Sequence, residues 1–358
     1  MTSKLAPVGP IVMVTAAGAA LYAVLTNRKN ENTEAKEPVV ARIDGLIVYP
    51  IKSAAGVQVD HRARGEYRPL SQAMAPRMSL IHPSLPNSEG ITLSFVQAGE
   101  TCSSIHVPLV TDGKRFAIIV WDNPAVGMDQ GDPVAEWLSM QLEIPGTRLL
   151  KSVDDDELTR VLCRQGNEIE AIKMDTVSTS IVRSASLFSP GVRFSSLERD
   201  AGVTSDNFPL DVLSRASAAQ LICRVPVDVG RTMDHRRFRS NILLDGCPPF
   251  AEERYSTIKF QDNPSLSIEF DRLCDRCSIP SVDPDTGVMD TKTKEPYPTL
   301  LKYRRGSLIK DTCHPRHRQF ITKHDKSVFM AVHATPRFAE GASSCPVVVR
   351  VGDVVHFV

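Results

Sequence analysis

The chain has 358 residues, enough for two domains and a sizeable core, and its 42 Lys plus Arg balance 42 Asp plus Glu, so no global field favours nucleic acid. Its 8 cysteines, irregularly spaced in a chain of this size, are not the disulfide framework of a small secreted domain and fit a reducing compartment.

Gly9 to Thr26 (GPIVMVTAAGAALYAVLT) carries no charge, with Lys4 before it and Arg28 and Lys29 after it. That length is at the short end of what spans a bilayer. A secretory signal would have a shorter apolar region and a small-residue cleavage site, which Ala16 to Ala20 could supply. The basic residues that follow the span place the bulk of the protein in the cytosol. Residues 1–38 are therefore predicted to be a transmembrane anchor, spanning 9–26, and a polar linker ending in Asn30 to Pro38.

Residues 39–150 read as a β-rich domain. Val40 to Tyr49 is strand-like, and Tyr49 to Gly56 (YPIKSAAG) is a loop whose Lys52 and Ser53 would, taken alone, be ordinary surface residues. Short strands broken by Gly, Pro and Asn run from Ile91 to Val110 and from Phe116 to Trp121. Asp129 to Leu142 has helical spacing, with Asp132 as N-cap, Pro133 at the first position and Trp137 on the packed face. Residues 151–200 form a variable segment whose Asp154 to Glu157 run reads as a solvated face.

Residues 201–358 form the last domain. Ser205 to Pro209 precedes a helix capped by Ser214, with Leu213, Ala216, Ala219, Leu221 and Ile222 on its apolar side. His235 to Cys247 follows. Its Arg236, Arg237 and Arg239 are a weak case for a nucleic-acid patch, since only Phe238 is interleaved and the chain has no net basic charge. Strands at Thr257 to Phe260 and Ser265 to Phe270 lead into Leu273 to Gly287, L-C-D-R-C-S-I-P-S-V-D-P-D-T-G. The chain closes on an alternating run with a turn at Gly352 and Asp353.

The thiols of Cys274 and Cys277 leave several chemistries open. Four-ligand zinc would need Cys313 with His314 or His317 as its second half, a loose C-x2-C and C-x3-H pattern. A redox C-x-x-C belongs beside a βαβ unit, whereas the flanks here look like strand. Two buried core cysteines are the plainest alternative.

C-D-R-C-x4-V-D-P-D-T-G, followed by Lys294-Glu295-Pro296 and Leu300 to Arg304, resembles the signature of the MOSC family, and within it the mitochondrial amidoxime-reducing components. The resemblance implies an α+β, mainly β fold: an N-terminal MOSC-type β-barrel domain and a C-terminal MOSC β-barrel domain with a cofactor cleft between them, anchored in the outer mitochondrial membrane and facing the cytosol. It implies a molybdenum cofactor held by a pterin dithiolene and by the thiolate of Cys277. Lys52 and Ser53 stand in the family's Y-P-[IV]-K-S loop, where a lysine and a hydroxyl can hold the pterin phosphate. Ser205 and Asn207 fall in its S-D-x-x-P, and Arg239 and Asn241 in its F-R-P-N-I, all on the cofactor side. Arg276 would offset pterin charge and Asp275 would handle a proton. The implied activity is reduction of N-hydroxylated compounds, amidoximes and hydroxylamines, to amines, with electrons from NADH through cytochrome b5 reductase and cytochrome b5.

Two rival readings accompany this one: a non-catalytic cofactor binder or sulfur carrier, as in MOSC domains fused to cofactor sulfurases, and an interaction module holding zinc on Cys274, Cys277, Cys313 and His317. The chain also departs from the family pattern. After Gly65 about one hairpin is missing, Ala73 stands where relatives often have an arginine, so that either Arg68 or Arg77 substitutes or the pocket has lost a basic contact, and Ser240 replaces a proline.

Overall fold

Residues 266–270 alternate apolar and polar, and burial follows the alternation: Leu266, Ile268 and Phe270 are buried while Ser267 and Glu269 are half-exposed. Strands are the main regular element among the described residues. The computed structural model describes residues 11–14, 39–47, 57–59, 67–69, 72–84, 88–110, 112–120, 123–153, 179–181, 208, 210–230, 232–339 and 347–358. In chain order the strands are β1 (Ile11–Val14), β2 (Val40–Leu46), β3 (Val57–Val59), β4 (Tyr67–Pro69), β5 (Ile81–Pro83), β6 (Ile91–Gln97), β7 (Glu100–Val107), β8 (Arg115–Val120) and β9 (Asn123–Asp129). They continue as β10 (Leu149–Val153), β11 (Thr179–Ile181), β12 (Leu210–Ser214), β13 (Ile242–Asp245), β14 (Thr257–Phe260), β15 (Leu266–Asp275), β16 (Phe329–Phe338), β17 (Val347–Arg350) and β18 (Val354–Phe357).

Seven strands close a barrel in the order β12-β13-β2-β18-β14-β15-β16. Within this barrel only β12 and β13 pair in parallel, and a parallel pair needs a crossover. The crossover carries helix α2 (Arg215–Ile222), introduced after α1 (Asp132–Leu142) of the N-terminal half. Ser214 caps α2 as expected, its hydroxyl accepting the Ser217 N–H at 3.0 Å. The inward face differs from the expectation: Ser217, Ala218 and Leu221 are buried, whereas Ala219 is exposed and Leu213 belongs to β12. The buried hydroxyl of Ser217 is the reason, since it donates to Glu252 at 2.7 Å and accepts the Phe250 N–H at 2.7 Å. Ile43, Val212, Ile268, Phe270, Val332 and Val355 fill the barrel core, each stabilising the fold by about 1.5–3 kcal/mol on burial. Strand β2, early in the sequence, lies between β13 and β18, so this barrel takes a stave from outside residues 201–358.

Among the described residues the N-terminal half makes open sheets, a three-stranded β5-β6-β7 and a four-stranded β11-β10-β9-β8, in place of the expected second closed barrel. Helix α1 buries Val134, Trp137, Leu138 and Leu142 against Met78, Leu80, Leu93 and Phe95, and Trp137 Nε1 donates to Ser103 Oγ at 2.8 Å. Its N-cap is Gly131, at φ +100°, rather than Asp132; Asp132 is the first helical residue and accepts from Arg148 at 2.6 Å. The terminal turn at Gly352 and Asp353 forms, with the Arg350 N–H donating to Asp353 at 2.8 Å, but its two flanking strands do not pair with each other. Strand β18 joins β2 and β14, and β17 pairs with β1. Of the expected membrane span only β1 is described, as strand; the rest of 9–26 lies outside the described residues, among which no helix is long and apolar enough to cross a membrane.

Candidate functional site

Strand β15 carries the thiol pair out of the barrel wall. Two register shifts against β16, between Phe270 and Arg272 and between Leu273 and Asp275, re-aim its last residues. On the β16 side Ala331 sits at φ +69° within the second irregularity. The two cysteines consequently face different surroundings: Cys274 is buried and Cys277 is exposed. Burial pushes the Cys274 thiol well above its ordinary pKa, so it stays protonated. Cys277 is the accessible thiol of the pair.

The loop after Cys277 is held from two directions. From the barrel side, Arg236 makes a bidentate pair with Asp285, both contacts at 2.7 Å, and Arg237 reaches Asp283 at 2.9 Å and the Pro280 carbonyl at 3.3 Å. Asp283 in turn accepts the N–H groups of Asp285 and Thr286 at 3.0 and 3.1 Å, closing the D-P-D-T-G turn. From the N-terminal side, Gly287 at φ +63° lies so close to the 76–80 turn that a Cβ would come 2.9 Å from Leu80 and 3.1 Å from the Arg77 backbone. Ser79 Oγ donates to the Asp283 carbonyl at 3.4 Å. His82 lies in the field of Arg236 and Asp285; burial first, then Arg236, lowers its pKa. Cys277 therefore opens a loop lodged at the seam between barrel and N-terminal half.

Beneath Cys277 the neighbouring side chain turns inward. Arg276 Nε donates to the Met330 carbonyl at 2.7 Å, Nη1 to the Phe238 carbonyl at 3.0 Å, and Nη2 to both oxygens of Asp211 at 3.2 and 3.1 Å. The guanidinium for which the resemblance implies an offset of cofactor charge thus has protein acceptors on all three of its nitrogens. Burial works against its charge, but the paired Asp211 carboxylate outweighs burial and its pKa is raised. Burial pushes the Asp211 carboxyl up, opposed by Arg276 and by the Ser240 hydroxyl that donates to it. His333 stacks on Phe208 with ring centroids 5.4 Å apart and is held neutral, burial and then Arg276 and Arg272 lowering its pKa well below the usual value.

The expected site residues divide three ways. Cys277, Asp275, Arg276, Arg239 and Asn241 are described; Lys52, Ser53, Ser205 and Asn207 lie outside the described residues. Asp275 has a buried Oδ1 with no hydrogen-bond partner among the described residues. Arg239 leaves the 235–238 turn at φ +57°. Asn241 is a tie: its Oδ1 accepts the Asp211 N–H at 2.9 Å and its Nδ2 donates to the Ile47 carbonyl at 3.1 Å. Arg77, a candidate stand-in for the missing family arginine, is engaged within its own half by the Gln141 carbonyl at 2.9 Å and Glu143 at 3.2 Å. The side chain of Arg68 is not described.

Cys274, Cys277, Cys313 and His317 do not converge into a zinc site. Among the described residues the group with ligand atoms in mutual reach, within 4.8 Å, is Asp211, Cys274 and His333. Its chemistry suits a protein network with no net charge: Arg276 already balances Asp211, and Cys274 keeps its proton. Asp211 was not singled out from the sequence, where it reads as one polar residue in an apolar strand. Ser240, standing in place of proline, was the available hint.

Residues 201–356 match the MOSC domain family. The chain is 27% identical over 305 residues to mitochondrial amidoxime-reducing component 1 of Homo sapiens, covering 79% of this chain and 76% of that protein. It is 26% identical over 284 residues to mitochondrial amidoxime reducing component 2 of Bos taurus, covering 74% and 73%. Molybdenum cofactor sulfurase 2 of Culex quinquefasciatus is 23% identical over 242 residues, covering 67% of this chain and 27% of that protein.

Proposed function

We propose, from the premise that residues 201–356 are a MOSC domain in a chain homologous to the mitochondrial amidoxime-reducing components, that this protein is a molybdenum-cofactor-dependent reductase of N-hydroxylated compounds. The observation that carries the reading is the asymmetry of the thiol pair, with Cys274 buried and protonated and Cys277 exposed at the head of a clamped loop. Were the metal held by a pterin dithiolene, as the resemblance implies, Cys277 would supply the protein thiolate. When bound, the cofactor supplies a two-electron couple that removes oxygen from nitrogen.

The chain's own residues bind and orient. Arg236 and Arg237 hold the loop that follows Cys277 through Asp285 and Asp283. Lys52, Ser53, Ser205, Asn207 and Arg239 are assigned to the cofactor by their places in the family motifs, while Asn241 braces β12 against the segment entering the Lys52 loop. Reduction of an N–OH group to N–H and water takes two electrons and two protons. Asp275, two residues before Cys277 and with a buried oxygen that has no hydrogen-bond partner among the described residues, is the candidate for handling one of the protons. Electrons are assigned to cytochrome b5 and its NADH-dependent reductase. A mitochondrial location accords with the relatives' names, and the 9–26 stretch is the candidate attachment to the outer membrane.

The test is the molybdenum content of the full-length chain expressed in a host that makes the molybdenum pterin, together with reduction of an amidoxime by reduced cytochrome b5. Near-stoichiometric metal and turnover are expected. Metal without turnover would favour the cofactor-carrier reading suggested by the sulfurase relatives, and no metal would overturn both.

A further inference from the structure

We infer that Asp211 is a positioning residue for Cys277, acting through Arg276 to fix the direction in which the thiol leaves β15. This inference rests on the reading of Cys277 as a cofactor ligand. Arg276 is the residue directly before Cys277, and its backbone N–H is held by the Val328 carbonyl at 2.9 Å. Its guanidinium then reaches three separate segments: Met330 on β16, Phe238 at the end of the 235–238 turn, and Asp211 on β12. A planar fork tied at three points loses the torsional freedom that would otherwise pass to the next peptide. Of the three acceptors only Asp211 is charged, so it supplies the strongest of these bonds.

Asp211 is itself fixed. The buried Ser240 hydroxyl donates to its carboxylate, its N–H donates to Asn241 Oδ1 at 2.9 Å, and its carbonyl accepts the Asn241 N–H at 2.8 Å. Ser240 thus has a task that the family's proline cannot perform, since proline has no hydroxyl. A purely stabilising role is the weaker account, because a buried ion pair can often be replaced by apolar residues of similar volume without loss of stability. Such a replacement would still remove the tie between Cys277 and β12.

The experiment uses the full-length chain, free of metal, with Cys102, Cys163, Cys223 and Cys345 replaced by serine and a nitroxide probe on Cys277. An immobile line shape is expected for this chain. In Asp211→Asn, and in the double variant Asp211→Leu with Arg276→Met, the mobile component should become the major one, while thermal unfolding of the double variant stays close to that of the parent. A double variant that melts like the parent and keeps an immobile probe would overturn the inference, as would a mobile probe in the parent itself. In the molybdenum-loaded protein, Asp211→Asn should broaden the Mo(V) resonance into several species. If the parent chain takes up no molybdenum, the ligand reading fails, and the probe on the metal-free protein still decides whether Asp211 positions the thiol.

Discussion

Asp211, Arg276, Cys274 and His333 lie together beneath Cys277, and elsewhere in the same domain Glu253, Arg304 and Cys313 make a second buried set that repeats the carboxylate, the arginine and the thiol. Both arginines hold a carboxylate and a backbone carbonyl of β16, Arg276 taking Met330 at 2.7 Å and Arg304 taking the adjacent Phe329 at 3.2 Å. The surroundings differ. Arg304 also lies 4.0 Å from the centre of the Phe250 ring, and the chain after it starts a short helix at Gly306. Arg276 is followed by an exposed thiol at a seam between two halves of the molecule. A buried carboxylate, arginine and thiol are therefore a staple in one place and the foundation of a candidate site in the other, and what separates them is where the next residue points.

The comparison is broken most severely at Cys277. Cys277→Ser should lose bound molybdenum essentially completely while unfolding like the parent, and metal analysis beside a thermal melt checks both. The second cluster answers in stability instead. Glu253→Leu leaves the Arg304 charge buried and unpaired and should cost roughly 3–5 kcal/mol in urea unfolding, with most of it recovered by adding Arg304→Met.

His317 sharpens the contrast through pH. Burial, then His314 and Arg316, lower its pKa from 6.5 to about 4, so the folded protein holds it neutral. Its contribution is fully present above pH 6.5 and is lost as pH falls toward about 4, where the unfolded chain binds the proton first. His317→Phe should remove up to roughly 3 kcal/mol of that acid sensitivity, read as a flatter plot of unfolding free energy between those limits.

At the seam, Gly287→Ala forces a side chain against Leu80 at positive φ and should cost roughly 1–3 kcal/mol. The smallest effect is expected for Arg236→Ala. Its pair with Asp285 is half-exposed, and denaturant titration should show no more than about 1 kcal/mol.

Alternation and turn chemistry made β15 and the D-P-D-T-G loop readable, because both depend on neighbours a few residues away. The cap at Ser214 and the packed face of Trp137 were readable for the same reason. The inward face of α2 was not, because Ser217 is buried by its bonds to Glu252 and to the Phe250 N–H, which helical periodicity does not encode. Nor was the engagement of Arg77 with the end of α1.

By itself the sequence determined that two thiols stand three residues apart before a tight acidic turn, that a strand leads into them, and that the motif is of MOSC type; the strand expected at Ser281 and Val282 is instead the end of a short 3-10 turn. Tertiary structure decided which thiol is exposed, that Arg276 faces the core, and that Asp211 is its counter-ion. Arg276 and Asp211 are 65 residues apart in the chain and meet because β12 and β15 flank β16. A contact made by strand order leaves no local pattern at either residue.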